Sequence, residues 1–204
     1  MARSRGDVIR MSWSATVRYG MEPAPEGLGF AQDLMNTISA GKPRTGDLLA
    51  DPDEARTWLA QALAQWSRST GAPAAGFELD PDGHEDLRAF RDDLRRAAEH
   101  GGTDALPSLH TAAVALQLGG NGQVHLEPRG TGWRRVAALA LIEVFQAQRA
   151  GTWERLKICR NERCGVAFFD RSRNNSGVWH DVKVCGNAAN LRAYRARQRA
   201  RSAT

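Results

Sequence analysis

Apolar positions in this chain recur mostly at helical spacing. Residues 1–20 have no clear period, and VIRMSWSATVRYG reads as a strand or an ordered arm before Pro23 and Pro25 break the chain. Phe30, Leu34 and Ile38, four apart, predict a helix over 29–40. Asp51-Pro52 supplies a capping carboxylate and a first-turn proline. Behind it Ala55, Trp58, Leu59, Ala62, Leu63 and Trp66 make one apolar stripe that Gly71 ends. Asp80-Pro81 repeats the start signal before a helix over 85–100 carried by Leu87, Phe90 and Leu94. A shorter helix is expected over 106–116. It competes for residues with the first of two strands, at 115–118 and 123–127, joined through Gly119-Gly120-Asn121-Gly122. The segment 133–149 is apolar in its middle and is expected to be the central helix of an N-terminal core, with Gly151 as its stop.

These elements give a mainly α fold with a small β element. They divide into an N-terminal domain, 1–150, and a C-terminal piece, 151–204. Charge sharpens the division. The C-terminal piece holds twelve Lys/Arg against four Asp/Glu, a net +8, whereas residues 1–150 hold 16 against 19, a net −3. A strongly basic piece on an acidic-leaning body points to a polyanionic partner for that piece. No run approaches the roughly 20 apolar residues of a membrane span, and the N-terminus lacks the apolar segment of a signal peptide. The expected location is the cytoplasm, at the nucleoid.

All three cysteines fall in the basic piece, at 159, 164 and 185, with His180 between them: Cys-x4-Cys-x15-His-x4-Cys. Tetrahedral zinc takes four such N and S ligands, and short paired spacings let each pair grip the ion from one turn. The expected cofactor is one structural Zn2+ held by Cys159, Cys164, His180 and Cys185. Four protein ligands leave no position for a reactive water. The first pair sits on a knuckle relaxed by Gly165, and the second straddles the start of the last helix, as in treble-clef-like modules. Val166, Phe168, Phe169 and Trp179 are the expected mini-core, and losing the ion should unfold 155–190 while sparing the N-terminal domain.

The last helix should begin near Gly186-Asn187 with Asn187 as its cap. Leu191 and Tyr194 would pack on the knuckle, and Arg192, Arg195, Arg197 and Arg199 would dominate the exposed surface. Arginine forks onto phosphate and reads guanine edges. In the polar loop 171–177, Arg171 and Arg173 are further candidates for phosphate, or for plain solvation.

The stretch RLKICRNERCGVAFFDRSRNNSGVWHDVKVCGNAANLRAYRARQR resembles the CGNR zinc finger. FAQDLMNT, LLADPDEARTWL and EDLRAFRDDLRRA are similar to landmarks of the ABATE domain that precedes it in bacterial proteins described as stress-induced transcriptional regulators. His180 stands where the family commonly has cysteine, and Ala188 where it has its signature arginine. The resemblance implies a DNA-binding finger attached to a regulatory domain that takes a small effector or a partner. A homodimer would offset the few base contacts of one small finger. The alternatives are an RNA-associated zinc finger or a protein-interaction module. An enzyme is not expected: His84, His100, His110 and His125 are scattered, and no phosphate loop or nucleophile elbow is present. Asn36 is a candidate for lining a ligand pocket, or for bridging within the core.

Overall fold

The computed structural model describes residues 13–41, 44–99 and 110–202. Helices α1 (Ser14–Val17), α2 (Leu28–Met35), α3 (Pro52–Thr70) and α4 (Gly83–Glu99) are followed by strands β1 (Val114–Leu118) and β2 (Val124–Pro128) and by helix α5 (Gly132–Arg149). A 3-10 turn at Trp153–Arg155, strands β3 (Leu156–Ile158) and β4 (Ala167–Phe169), a π turn at Val182–Gly186 and helix α6 (Asn187–Ser202) complete the order. The fold is mainly helical, with two separate two-stranded antiparallel ribbons, β1–β2 and β3–β4.

The start and stop signals act as their chemistry dictates. The Asp51 side chain accepts from the N–H groups of Asp53 and Glu54, and Gly71 closes α3 in the left-handed region at φ 74°. Four expectations need correction. Residues 14–17 form a helical turn, not a strand. Residues 110–113 are extended and 114–116 belong to β1, so no helix runs into the ribbon; 106–109 lie outside the described residues. Helix α2 stops at Met35 and not at Ala40. Finally, the most enclosed helix is α2, with all eight residues buried, while α5 leaves Arg134, Phe145 and Gln146 exposed.

So short a helix can sit at the centre because two glycines let its neighbours close in. A Cβ on Gly29 would lie 2.6 Å from the Trp13 indole, and one on Gly27 would overlap the Glu143 carboxylate. The polar residues α2 carries inward are paired. Asp33 accepts from Thr16 N–H at 2.7 Å and Trp58 Nε1–H at 2.9 Å, and burial pushes its carboxyl up to about 6. Gln32 accepts from the N–H of Ala24 and donates to the carbonyl of Ala167 at 3.2 Å.

That last bond leads into the C-terminal piece. In the β3–β4 ribbon Leu156 pairs with Phe169 and Ile158 with Ala167, and these four side chains join the main core around α2. Val166 and Phe168 instead pack with the three cysteines, Ala40, Tyr19, Ile38 and Trp179 in a second, smaller cluster. Strand alternation assigns the faces. Phe169 therefore belongs to the main core and not to the mini-core. The two regions of opposite charge are bonded through one ribbon.

Candidate metal centre

The knuckle begins where β3 ends. Cys159 N–H donates to Val166 O at 2.9 Å, and the N–H groups of Cys164 and Gly165 donate to Asn161 O at 2.6 and 3.2 Å. Gly165 has φ 67°, the left-handed conformation the tight reversal requires. Its carbonyl accepts from Arg95 Nη2 of α4 at 2.5 Å, so the knuckle is held from outside as well as from within.

The second pair of ligands comes from the turn that opens α6. Asp181 accepts through its side chain from Val184 N–H at 2.9 Å, and its carbonyl accepts from Cys185 N–H at 2.8 Å and Gly186 N–H at 3.3 Å. The capping residue is Asp181. Asn187 already has helical angles, and its N–H donates to Val182 O at the end of the π turn. The π turn passes directly into α6, so Cys185 ties the start of that helix to the knuckle.

The Sγ atoms of Cys159, Cys164 and Cys185 and a ring nitrogen of His180 all lie within 4.8 Å of one another. His180 turns Nδ1 to the sulfurs, 3.4 Å from Cys164 Sγ and 3.6 Å from Cys185 Sγ. Zinc–sulfur bonds of about 2.3 Å and zinc–nitrogen bonds of about 2.0–2.1 Å put tetrahedral S and N neighbours about 3.6 Å apart. The two His180–sulfur distances therefore match edges of a zinc tetrahedron, and all four donors are close enough to serve as its corners. Charge agrees. Hydrogen bonding from Cys164 draws the Cys159 thiol down, the same pairing and burial push Cys164 up, and burial pushes Cys185 up. Without an ion only Cys159 is drawn toward the thiolate, and a dication would be what lets all three sulfurs ligate as thiolates. The Cys3His set fits one zinc ion in a closed, structural site.

Asn161, between the first two ligands, is 3 % exposed. Its side chain hydrogen-bonds Cys185, and its Oδ1 accepts from Arg192 Nη2 at 2.7 Å. One amide thus bridges a ligand sulfur and the basic helix. Its position in the motif gave no sign of this, since spacing identifies ligands and not the residues that orient them.

The basic candidates separate. Arg195, Arg197 and Arg199 are exposed on α6, whose one substantial contact with another element is with the π turn. Arg173 is exposed on the loop after β4. Arg171 faces the protein: Nε pairs with Glu22 at 3.0 Å, Nη2 donates to Pro23 O at 2.7 Å, and the guanidinium lies 5.5 Å from the Phe169 ring centroid. Arg192, half-buried, is held by Asn161, so the side of α6 facing the knuckle is the Ala188–Arg192 side. Leu191 and Tyr194, expected there, are 49 % and 54 % exposed. The loop is fixed by Asp170, which accepts from Lys157 Nζ, Ser172 N–H and Gly177 N–H at 2.7–2.9 Å; these bonds outweigh its burial and hold its carboxyl well below the usual range.

Asn36 bridges within the core. It is fully buried, its Nδ2 donates to Ala167 O at 2.9 Å and to Thr16 Oγ1 at 3.3 Å, and its Oδ1 accepts from Ala167 N–H at 2.8 Å. A cavity of about 430 Å3 opens onto the metal site itself, lined by Cys164, His180 and Cys185 together with Arg18, Tyr19 and Asn161. Among the described residues no helix is long and apolar enough to cross a membrane.

Comparison with known families matches this architecture. Residues 29–148 match the family ABATE, "Putative stress-induced transcription regulator", and residues 155–198 match the CGNR zinc finger. No curated protein matches significantly.

Proposed function

The chain belongs to the ABATE family and ends in a CGNR zinc finger, and we propose that it regulates transcription by binding duplex DNA through helix α6. The observation that carries this reading is the mounting of that helix. Zinc ligand Cys185 fixes its first turn, and the rest runs into solvent with Arg195, Arg197, Arg199 and Arg201 exposed. An isolated helix of this length is marginal in water, and one that projects bare arginines is built to gain contacts from a partner. A major groove admits a helix and offers phosphate on both walls. Ala188 removes the family's arginine at the foot of the helix, which shifts contact toward its outer turns.

The ABATE region has the regulatory role in this proposal and no catalytic one. Its contact with the finger along β3–β4 gives an effector a path to the helix. The cavity of about 430 Å3 between Arg18, Tyr19 and the zinc knuckle is the place where a small effector would touch both. Such a regulator works in the cytoplasm, on the nucleoid.

The test is fluorescence anisotropy of the zinc-loaded protein with duplex DNA over a salt series. Each phosphate contact contributes about 0.9 to the slope of log affinity against log salt. Five free arginines, the four on α6 with Arg173, predict a slope of roughly −4.5. A flat response would overturn the reading. A structured RNA preferred over duplex at matched salt would select the RNA-associated reading, which Tyr194 favours as an exposed ring on the helix.

A further inference from the structure

The metal site has a full set of ligands, yet one side of it is open. The cavity of about 430 Å3 reaches Cys164, His180 and Cys185 but not Cys159. A water occupies roughly 30 Å3 in the liquid, so a molecule the size of a peroxide has ample room. A zinc centre sealed in protein keeps its sulfurs from reagents, whereas this one presents two of three to whatever enters. None of the cysteines is in a disulfide. Cys164, at 9 % the most exposed of them, is the first sulfur that a reagent meets. Val184, exposed and lining the same cavity, stands at its rim.

We propose that this centre is a site of reversible thiol oxidation, at which a hydroperoxide enters the cavity and Cys164 becomes joined to Cys159. Ligation holds sulfur as thiolate, the form that attacks peroxide. With hydrogen peroxide, Cys164 Sγ attacks one oxygen: an S–O bond forms, the O–O bond breaks, and the second oxygen leaves with the electron pair and is protonated to water. Cys159 Sγ then attacks the sulfenic sulfur: an S–S bond forms, the S–O bond breaks, and hydroxide leaves and is protonated. Two thiolates, one peroxide and two protons give one disulfide and two waters. The sulfurs lose two electrons and the peroxide gains them.

Cys159 is the second sulfur because it and Cys164 hydrogen-bond each other on one knuckle, while Cys185 is also held by Asn161. A thiolate so near traps the sulfenic acid before a second peroxide carries it to the irreversible sulfinic stage. The disulfide removes both knuckle ligands and leaves His180 and Cys185, too few to hold the ion. The knuckle then releases the π turn, the one element with which α6 has substantial contact. Oxidation therefore loosens the basic helix from the body, and thiol reduction with zinc restores it. The link to transcription rests on the role proposed for α6; the sulfur chemistry does not, and its test uses no DNA.

The zinc-loaded full chain, prepared without oxygen, is treated with hydrogen peroxide while a chromophoric chelator reads zinc release. Peptide mass mapping then locates the disulfide. One zinc ion per chain should be released, with Cys159 bonded to Cys164, and dithiothreitol with zinc should restore the starting state. Val184→Trp, which fills the rim, should slow release at least fivefold at unchanged zinc affinity, and Val184→Ala should quicken it. Val182→Trp, on the same turn but away from the cavity, should match wild type. Zinc retained under peroxide overturns the proposal, as do a disulfide that includes Cys185 and a loss that dithiothreitol does not reverse. Equal rates for all three valine variants overturn it too, since the oxidant would then not enter by the cavity.

Discussion

Asn36 and Ala167, 131 residues apart, exchange two hydrogen bonds: the amide donates to the carbonyl at 2.9 Å and accepts from the N–H at 2.8 Å. A side chain at the end of α2 thereby takes the place a neighbouring strand would have beside β4. It satisfies both backbone groups of a residue that no water reaches.

Asn36→Ala leaves that N–H buried without this partner, whereas the carbonyl keeps its bond from Gln32. A buried polar group left so costs about 1–3 kcal/mol, so the variant should lose about that much, read as a lower denaturant midpoint at unchanged m-value. Asn36→Asp keeps an acceptor for the N–H but turns a carboxylate oxygen toward the Ala167 carbonyl, and should be no better than alanine at neutral pH. A variant as stable as wild type would show that the pair contributes nothing.

Asp33 gives the fold a pH dependence of definite sign. Its carboxyl rises from 3.8 to about 6 on folding because burial disfavours the charge. Between these values the folded state holds the extra proton. The contribution of Asp33 is therefore fully present below about pH 4 and lost as pH rises through 6, amounting to about 3 kcal/mol at 1.36 kcal/mol per unit. Zinc ligation runs the other way with pH. The measurement is accordingly the difference in stability between wild type and Asp33→Asn from pH 4.5 to 7.5. Wild type should lose ground to the variant across that range, and a flat difference contradicts the assignment.

Removing zinc should separate the two faces of the β3–β4 ribbon. Chelation is expected to release one zinc ion per chain and to cost hydrogen-exchange protection in the knuckle, the π turn and α6. Leu156, Ile158 and Ala167 belong to the main core, so their backbone should stay protected. Loss of protection over the whole of 155–190 would restore the simpler picture of a finger that unfolds as one unit.

Asn161→Leu should weaken zinc affinity about 10–100-fold, as removal of residues that orient metal ligands does, and should release Arg192. Competition with a chromophoric chelator reads the affinity. Arg192→Ala should lower the melting temperature of the zinc-loaded protein, because its guanidinium is held at 2.7 Å by Asn161. Arg195→Ala should leave that temperature unchanged and reduce the salt slope of DNA binding by about 0.9. Equal melting temperatures for the two arginine variants would remove the distinction between anchor and contact.

Much of this was legible in the sequence for local reasons. Asp51, Pro52 and Gly71 act through their nearest neighbours, so the bounds of α3 could be read directly. Cys159, Cys164, His180 and Cys185 were legible because a tetrahedral ion imposes its spacing on the chain. The remainder depends on residues far apart. Nothing near Asn36 indicates that its partner is Ala167, and nothing near Arg192 indicates that Asn161 will hold it. Leu191 and Tyr194 look like the packing side of α6 by composition, yet the π turn and the Asn161–Arg192 bond set the rotation of that helix.

A ribbon that serves two cores also restricts how this protein could have been assembled. Excised at residue 151, the finger would carry Leu156, Ile158, Ala167 and Phe169 into water as a greasy underside. The remaining body would lose the backbone that Gln32 and Asn36 hold. Such a finger is not expected to fold as a free cassette. A transplant would need the α2 surface grafted along with it.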